Sequence, residues 1–282
     1  MSDAITVRGL QKSYAGTPAV AGIDLDVRQG EVFALLGPNG AGKTTTVEIL
    51  EGYRPRDAGE VSVLGADPAD DDLAWRRRIG IVLQSSDDFA ELSVEETVRH
   101  FARYYPRPRD VDAVLVATGL EEKRASRTRA LSGGQRRRLD VALGIIGDPE
   151  LLFLDEPTTG FDPEARRQFW QLIERLSAEG TTILLTTHYL DEAEHLADRV
   201  GVIARGGIVE VATPQTLGGR QDAPAVVRWT DPVEGPREIR TTEPTRTVRE
   251  LAARFDGAEV PGLLVQRPTL EDTYLRMIGE PA

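Results

Sequence analysis

The 282-residue chain contains no cysteine. That removes disulfides, thiolate nucleophiles and Cys-ligated zinc or iron–sulfur centres, and it fits a cytoplasmic protein. Lysine is nearly as scarce: Lys12, Lys43 and Lys123 stand against 31 arginines. Long apolar runs are missing too. The longest, such as Val32 to Leu36 and Leu151 to Leu154, fall far short of the ~18 to 20 residues that cross a bilayer as a helix, so no direct membrane span is expected. The opening MSDAITVRGL lacks a basic segment followed by an apolar core, so no export signal is expected. Positive charge is in deficit, with 34 basic against 46 acidic residues for a net −12. Such a surface repels a phosphodiester backbone, and no nucleic-acid partner is expected. What is present, 40% hydrophobic and 28% charged residues, suits one large globular domain with a small appendage.

Strand patterns open the chain at Ile5 to Val7 and Ile23 to Val27, followed by the continuous apolar run Val32 to Leu36. Alternation marks a half-exposed sheet and continuity a buried strand. Helical patterns follow the glycine-rich stretch to about Leu50, then run from Val94 to about Tyr105, Val111 to about Thr118 and Ser132 to about Gly147. Strand and helix alternate from Leu151 to Ala204, which predicts a parallel sheet covered by helices. Near Thr213-Pro214 the pattern changes. The remainder predicts a small α+β appendage, with strands at Ala225 to Trp229 and Leu263 to Gln266 and helices at Val248 to Phe255 and Leu270 to Ile278.

Directly after the buried run stands Gly37-Pro38-Asn39-Gly40-Ala41-Gly42-Lys43-Thr44-Thr45. Backbone N–H groups of such a turn, backed by the positive end of the following helix, converge on phosphate oxygens. Glycine is needed where side chains would obstruct that approach. Lys43 would reach the β- and γ-phosphates as a point charge, and the Thr44 hydroxyl would ligate Mg²⁺. A lysine here, in a chain that otherwise uses arginine, suggests selection by chemistry.

Leu151-Leu152-Phe153-Leu154-Asp155-Glu156 ends a buried strand on two carboxylates. Ligands of open α/β sheets bind at that end. Asp155 is the expected second Mg²⁺ anchor, and Glu156 the general base or the group that polarises the attacking water. His188 follows another strand and could donate to the γ-phosphate. Gln84 ends the strand pattern Ile79 to Leu83, where its amide could bind Mg²⁺ or the attacking water. His100 and His195, on helical patterns, are expected to be structural.

Leu131-Ser132-Gly133-Gly134-Gln135 reads locally as a helix start capped by Ser132, which leaves its second glycine unexplained. These five residues resemble the signature of the ATP-binding-cassette ATPases. The other motifs fall in that family's order over about residues 4 to 215: Walker A at Gly37 to Thr45, glutamine loop at Gln84, Walker B through Asp155 and Glu156, switch histidine at His188. The resemblance implies a P-loop NTPase, RecA-like α/β core with an antiparallel β subdomain and a helical signature subdomain at about 85–145. The cassette would occupy 1–215 and an accessory or regulatory region 216–282.

It further implies ATP as substrate and a homodimer closed head to tail. Ser132, Gly134 and Gln135 would then act in trans on the γ-phosphate, while Gly37, Asn39, Gly40, Gly42, Lys43, Thr44 and Thr45 cradle the phosphates in cis. Tyr14 would stack on adenine. Gly160-Phe161-Asp162 matches the D-loop, with Phe where Leu is commoner. The segments Glu156 to Gly160, His188 to Glu194 and Leu270 to Leu275 resemble ATPase subunits of bacterial drug- and antibiotic-resistance exporters. Such a subunit would power a separately encoded polytopic permease at the inner face of the cell membrane, with Ser85 to Leu92 forming the groove for that partner. The alternatives are a non-transport cassette ATPase acting on ribosome or DNA, and a catalytically silent regulatory cassette. Arg136-Arg137-Arg138 reads as a solvated or partner-facing run.

Overall fold

The computed structural model describes residues 2–82 and 90–279. They form two compact units, Met1–Val211 and Ala212–Ala282. In the first, β1 (Asp3–Tyr14), β2 (Thr17–Arg28) and β4 (Ala58–Val63) build an antiparallel sheet of order β2-β1-β4. A second sheet has the order β5-β6-β7-β3-β8-β9. Its members are β3 (Val32–Leu36), β5 (Ile79–Val82), β6 (Leu151–Asp155), β7 (Thr182–Thr187), β8 (Arg199–Ala204) and β9 (Gly207–Ala212). Every pairing from β5 through β8 is parallel.

The continuous apolar run of β3 is buried along its whole length, as are the first four residues of β6 and all of β7. That is the pattern of strands covered on both faces. Helix α1 (Lys43–Leu50) lies in the layer between the two sheets. Its Val47, Ile49 and Leu50 share one apolar cluster with Ile5, Val7 and Leu25 of the antiparallel sheet and with Phe33, Leu35 and Phe153 of the parallel one. Full burial of side chains of this size stabilises by about 1.5–3 kcal/mol each, which fixes α1 and the loop before it.

The remaining helices of this unit are α2 (Leu73–Arg76), α3 (Val94–Ala102), α4 (Val111–Ala117), α5 (Gly133–Ile145), α6 (Pro163–Ala178) and α7 (Leu190–Leu196). Helices α3, α4 and α5 pack on one another. Reciprocal capping boxes, Ser93 with Glu96 and Ser132 with Gln135, satisfy orphan N–H groups at the starts of α3 and α5. Helix α5 also lies close against β5. A Cβ placed on Gly80 would stand 2.2 Å from the carbonyl oxygen of Gly144, so these glycines permit the approach.

The second unit holds an antiparallel sheet of order β11-β10-β12, from β10 (Ala225–Asp231), β11 (Gly235–Thr241) and β12 (Leu264–Gln266), with α8 (Pro244–Arg254) and α9 (Leu270–Ile278). Val227, Leu251 and Val260 form its buried centre, with Trp229, Val248 and Phe255 around them.

Strands β1 and β2 run twelve residues each, well beyond the segments read from alternation. Register shifts between Val7 and Leu10 and between Lys12 and Ser13 break the two-residue rhythm. Strands β4, β9 and β11 carry no clean apolar alternation, and β11 is largely exposed. Lys12, unexplained by the sequence, pairs with Asp57 at 2.7 Å.

Gly80→Ala is expected to lose about 2–3 kcal/mol of stability in denaturant titration, because the added methyl meets backbone that can yield only if α5 shifts. Unchanged stability would contradict the close packing of α5 on β5.

Candidate functional site

Parallel register sets the site. Leu36 stands abreast of Thr187, and Asp155 abreast of Thr186. The residues that follow β3, β6 and β7 therefore emerge together at one edge of the sheet: the glycine loop, the Asp155-Glu156 pair and His188. This is the edge where α/β sheets bind ligands.

The glycine loop is tightly seated. A Cβ on Gly37 would lie 2.4 Å from the carbonyl oxygen of Ile203, and one on Gly42 2.4 Å from that of Ala19. Gly40 and Gly42 have φ of 77° and 107°, in the left-handed region that favours glycine. Gly42 also caps α1, whose first N–H groups face the loop. Lys43 is buried, and its ammonium donates to the carbonyls of Gly37 at 2.6 Å and Pro38 at 3.2 Å. Burial pulls its pKa below the usual range, while nearby Glu156 and Asp155 act in the opposite direction. Thr44 is exposed and Thr45 half-buried on the first turn of α1.

Asp155 accepts a short hydrogen bond from the Thr186 hydroxyl. Glu156 takes a backbone φ of 45°, which costs a non-glycine residue about 1–2 kcal/mol. Its N–H donates to the carbonyl of Thr186 at 3.0 Å and lies 3.2 Å from the Thr186 hydroxyl. The strand direction is thus broken at Glu156, and its carboxylate turns toward His188, whose Nδ1 lies 3.3 Å from Oε1. His188 is 45% exposed at the side chain and its ring rests against that of Tyr189. The arrangement places a carboxylate, an imidazole, an ammonium and a converging set of backbone N–H groups around one edge, suited to binding a phosphate chain and orienting a water beside it. One carboxylate and one exposed hydroxyl at the loop, Asp155 and Thr44, form the sparse oxygen set that Mg²⁺ takes when phosphates supply further ligands. The residues fit that ion.

Tyr14 ends β1 and is 41% exposed, its ring flanked by Lys12 and by the Arg54 guanidinium 5.3 Å from the ring centroid. Asn39 and Gly40 are exposed on the loop. The signature segment is also exposed at Ser132 and Gly133, and Phe161 lies beside Gly134. Among the described residues, no hydrogen bond joins it to the glycine loop. Asp162 caps α6, accepting from Glu164 at 2.9 Å and Ala165 at 2.8 Å. Phe161 packs edge-on against Phe169. Gln84 and most of the Ser85 to Leu92 groove lie outside the described residues. His100 sits by Tyr104 on α3, and His195 stacks on Trp170.

Sequence reasoning missed three residues. Thr186 shows only a strand pattern in sequence, yet it contacts both Asp155 and Glu156. Glu51, at the end of α1, is 7% exposed. Arg137 corrects the expectation of a solvated run: it is buried, and its guanidinium donates to the carbonyls of Pro157 at 3.0 Å and Asp155 at 2.6 Å. Helical spacing carried the signal, since Arg137 stands four residues before Val141 and eight before Ile145 on the buried stripe of α5.

Burial, with Asp155 and Glu48 nearby, pushes the Glu51 carboxyl up to about 8. Its ordinary value is 4.5. The folded state therefore holds this proton across that window while the unfolded chain releases it, so stability falls as pH rises through it. Glu51→Gln is expected to gain on the order of 2–4 kcal/mol relative to the parent between pH 5 and pH 8.5, read from paired denaturation curves. A pH-independent difference would contradict a neutral buried Glu51.

Residues 20–159 match the family described as ABC transporter. The chain is 37% identical over 300 residues to Nod factor export ATP-binding protein I of Ralstonia nicotianae, covering 98% of this chain and 94% of that protein. It is 37% identical over 305 residues to daunorubicin resistance ATP-binding protein DrrA3 of Streptomyces coeruleorubidus, covering 98% and 96%. Among solved structures, an ATP binding subunit of an ABC transporter aligns with a TM-score of 0.70 at 27% identity, covering 76% of this chain and 91% of that one. CbiO1 of Clostridium perfringens, part of an ABC transporter complex, aligns at 0.69 with 29% identity, covering 78% and 92%. A dimeric cassette bound to ADP and Pi shares the fold at a TM-score of 0.67 and 23% identity, covering 74% and 98%.

Proposed function

The chain belongs to the ABC transporter family of ATP-binding proteins, and from that membership we propose that it is the ATP-hydrolysing subunit of an exporter, driving a separately encoded permease. The observation that carries the hydrolytic reading is the shared sheet edge, where Lys43, Asp155, Glu156 and His188 follow three adjacent parallel strands. Export is supported by relatives matched over nearly the whole chain, named for Nod factor export and daunorubicin resistance. A drug, an antibiotic or another hydrophobic compound is the proposed cargo. The same matches leave the ribosome or DNA alternative without a supporting observation. Among the described residues no helix is long and apolar enough to cross a membrane, which suits attachment to the inner face of the membrane through the permease. The region 216–282 is proposed as accessory to the cassette at 1–215.

In the proposed mechanism the backbone N–H groups of Gly37 to Thr45 hold the phosphates, with Tyr14 against the adenine. Lys43 exchanges its contacts with Gly37 and Pro38 for β- and γ-phosphate oxygens, at little cost because it is already desolvated. Mg²⁺, held by Thr44 and Asp155 with Gln84, would neutralise charge building between the β- and γ-phosphates. Glu156 takes the proton of the attacking water, and His188 holds the carboxylate and γ-phosphate in register. Ser132, Gly134 and Gln135 of a second copy complete the phosphate cradle in a homodimer. In a single chain Ser132 is exposed and Gly134 and Gln135 are half-buried.

Glu156→Gln is expected to keep ATP affinity within about threefold while turnover falls by at least about 10²-fold. Equilibrium nucleotide binding and phosphate release measure the two. Turnover near that of the parent would remove Glu156 from the role of base.

A further inference from the structure

Glu156 stands just after β6 in a left-handed conformation that a non-glycine side chain disfavours. Its N–H is tied to Thr186 on β7. The carbonyls of its two chain neighbours are tied to a different element. The carbonyl of Asp155, which precedes Glu156, accepts from Arg137 at 2.6 Å, and the carbonyl of Pro157, which follows it, accepts from the same guanidinium at 3.0 Å. One planar fork therefore brackets the strained residue. Proline at 157 has a ring-fixed φ, so with the carbonyls of Asp155 and Pro157 held, the backbone through Glu156 is restrained on both sides.

The fork comes from α5, the helix whose first turn is the signature. Arg137 lies five residues after Ser132 and two after Gln135, within a turn and a half of the capping box. It is 7% exposed, and burial pulls its pKa down while Asp140, Asp155, Glu192 and Glu156 act to keep it charged. A buried guanidinium with two carbonyl partners is costly to displace, since each lost bond leaves a desolvated donor. Two hydrogen bonds thus link α5, one and a half turns from its capped start, to the backbone around Glu156 within one chain.

We propose that Arg137 is a positioning residue for ATP hydrolysis: it sets the backbone of Glu156 and transmits to it the state of the signature end of α5. This rests on the reading of Glu156 as the base. When the signature of one copy engages a nucleotide held by another, α5 is fixed and the base of the first copy is fixed with it. Each site would then be tuned through its neighbour's nucleotide. Lysine cannot replace arginine here, because a single ammonium point lacks the planar fork that spans two carbonyls.

The test is a double-mutant cycle on the full chain, using Arg137→Lys and Arg137→Gln in the parent and in Glu156→Gln. Single-turnover ATP hydrolysis and equilibrium ATP binding are read for each. The expected result is a fall in the hydrolysis rate of at least tenfold for either Arg137 variant, with ATP affinity within threefold of the parent. In the Glu156→Gln background the same substitutions should change the residual rate by less than twofold. A parent-like rate in both Arg137 variants overturns the proposal, as does an equal loss in both backgrounds, which would mean action independent of Glu156. Loss of ATP binding together with hydrolysis in both variants would mark Arg137 as a residue of the fold alone, and also overturns it. A parent-like rate in Glu156→Gln by itself would instead sink the assignment of the base.

Discussion

The in-register parallel pairing of β3, β6 and β7 is the constraint on which the rest depends. These strands have almost no side chain in water, so their register is held by burial on both faces. A one-residue slip would carry the glycine loop, the carboxylate pair and His188 out of reach of one another. The site is therefore specified by apolar residues that never touch a ligand. Phe33, Leu35 and Phe153 fix the strands, and α1, packed between the two sheets, fixes the loop that feeds it.

On that rigid edge, a few groups are held in costly states. Glu156 occupies a backbone conformation that disfavours its side chain, Lys43 is desolvated, and Glu51 retains a proton at neutral pH. Such costs persist only where surrounding packing over-determines them, and they gather where a site must be preorganised. The proposed reaction uses two of these directly. Lys43 has already lost its water, and Glu156 is already turned toward His188, so little rearrangement is needed when nucleotide arrives.

Much of this was legible in the sequence. The continuous apolar runs located β3, β6 and β7, and the glycine spacing located the phosphate loop, because each follows from a local rule. Long-range terms were not legible. The bulges of β1 and β2 hid their length, and the exposed strand β11 gave no alternation. Arg137 looked like one of three surface arginines, although it sits on the buried stripe and finds its acceptors twenty residues away in Pro157. The left-handed turn at Glu156 has no signal in its own residue type. Its cause lies in Thr186 and Arg137, which only the fold brings near.

The central claim is that this edge is half of a site, completed by the signature of a second copy. Mixing two inactive variants tests it most directly: Lys43→Ala, which removes the phosphate loop's charge, and Gly134→Asp, which blocks the signature. Each alone should be silent. A mixed dimer would hold one intact loop facing one intact signature, so ATP hydrolysis should return on mixing, in proportion to the fraction of mixed dimers and at a reduced rate, because the copy with the intact loop has its own signature blocked. Activity that stays absent at every mixing ratio, with mixed dimers present, would contradict a composite site.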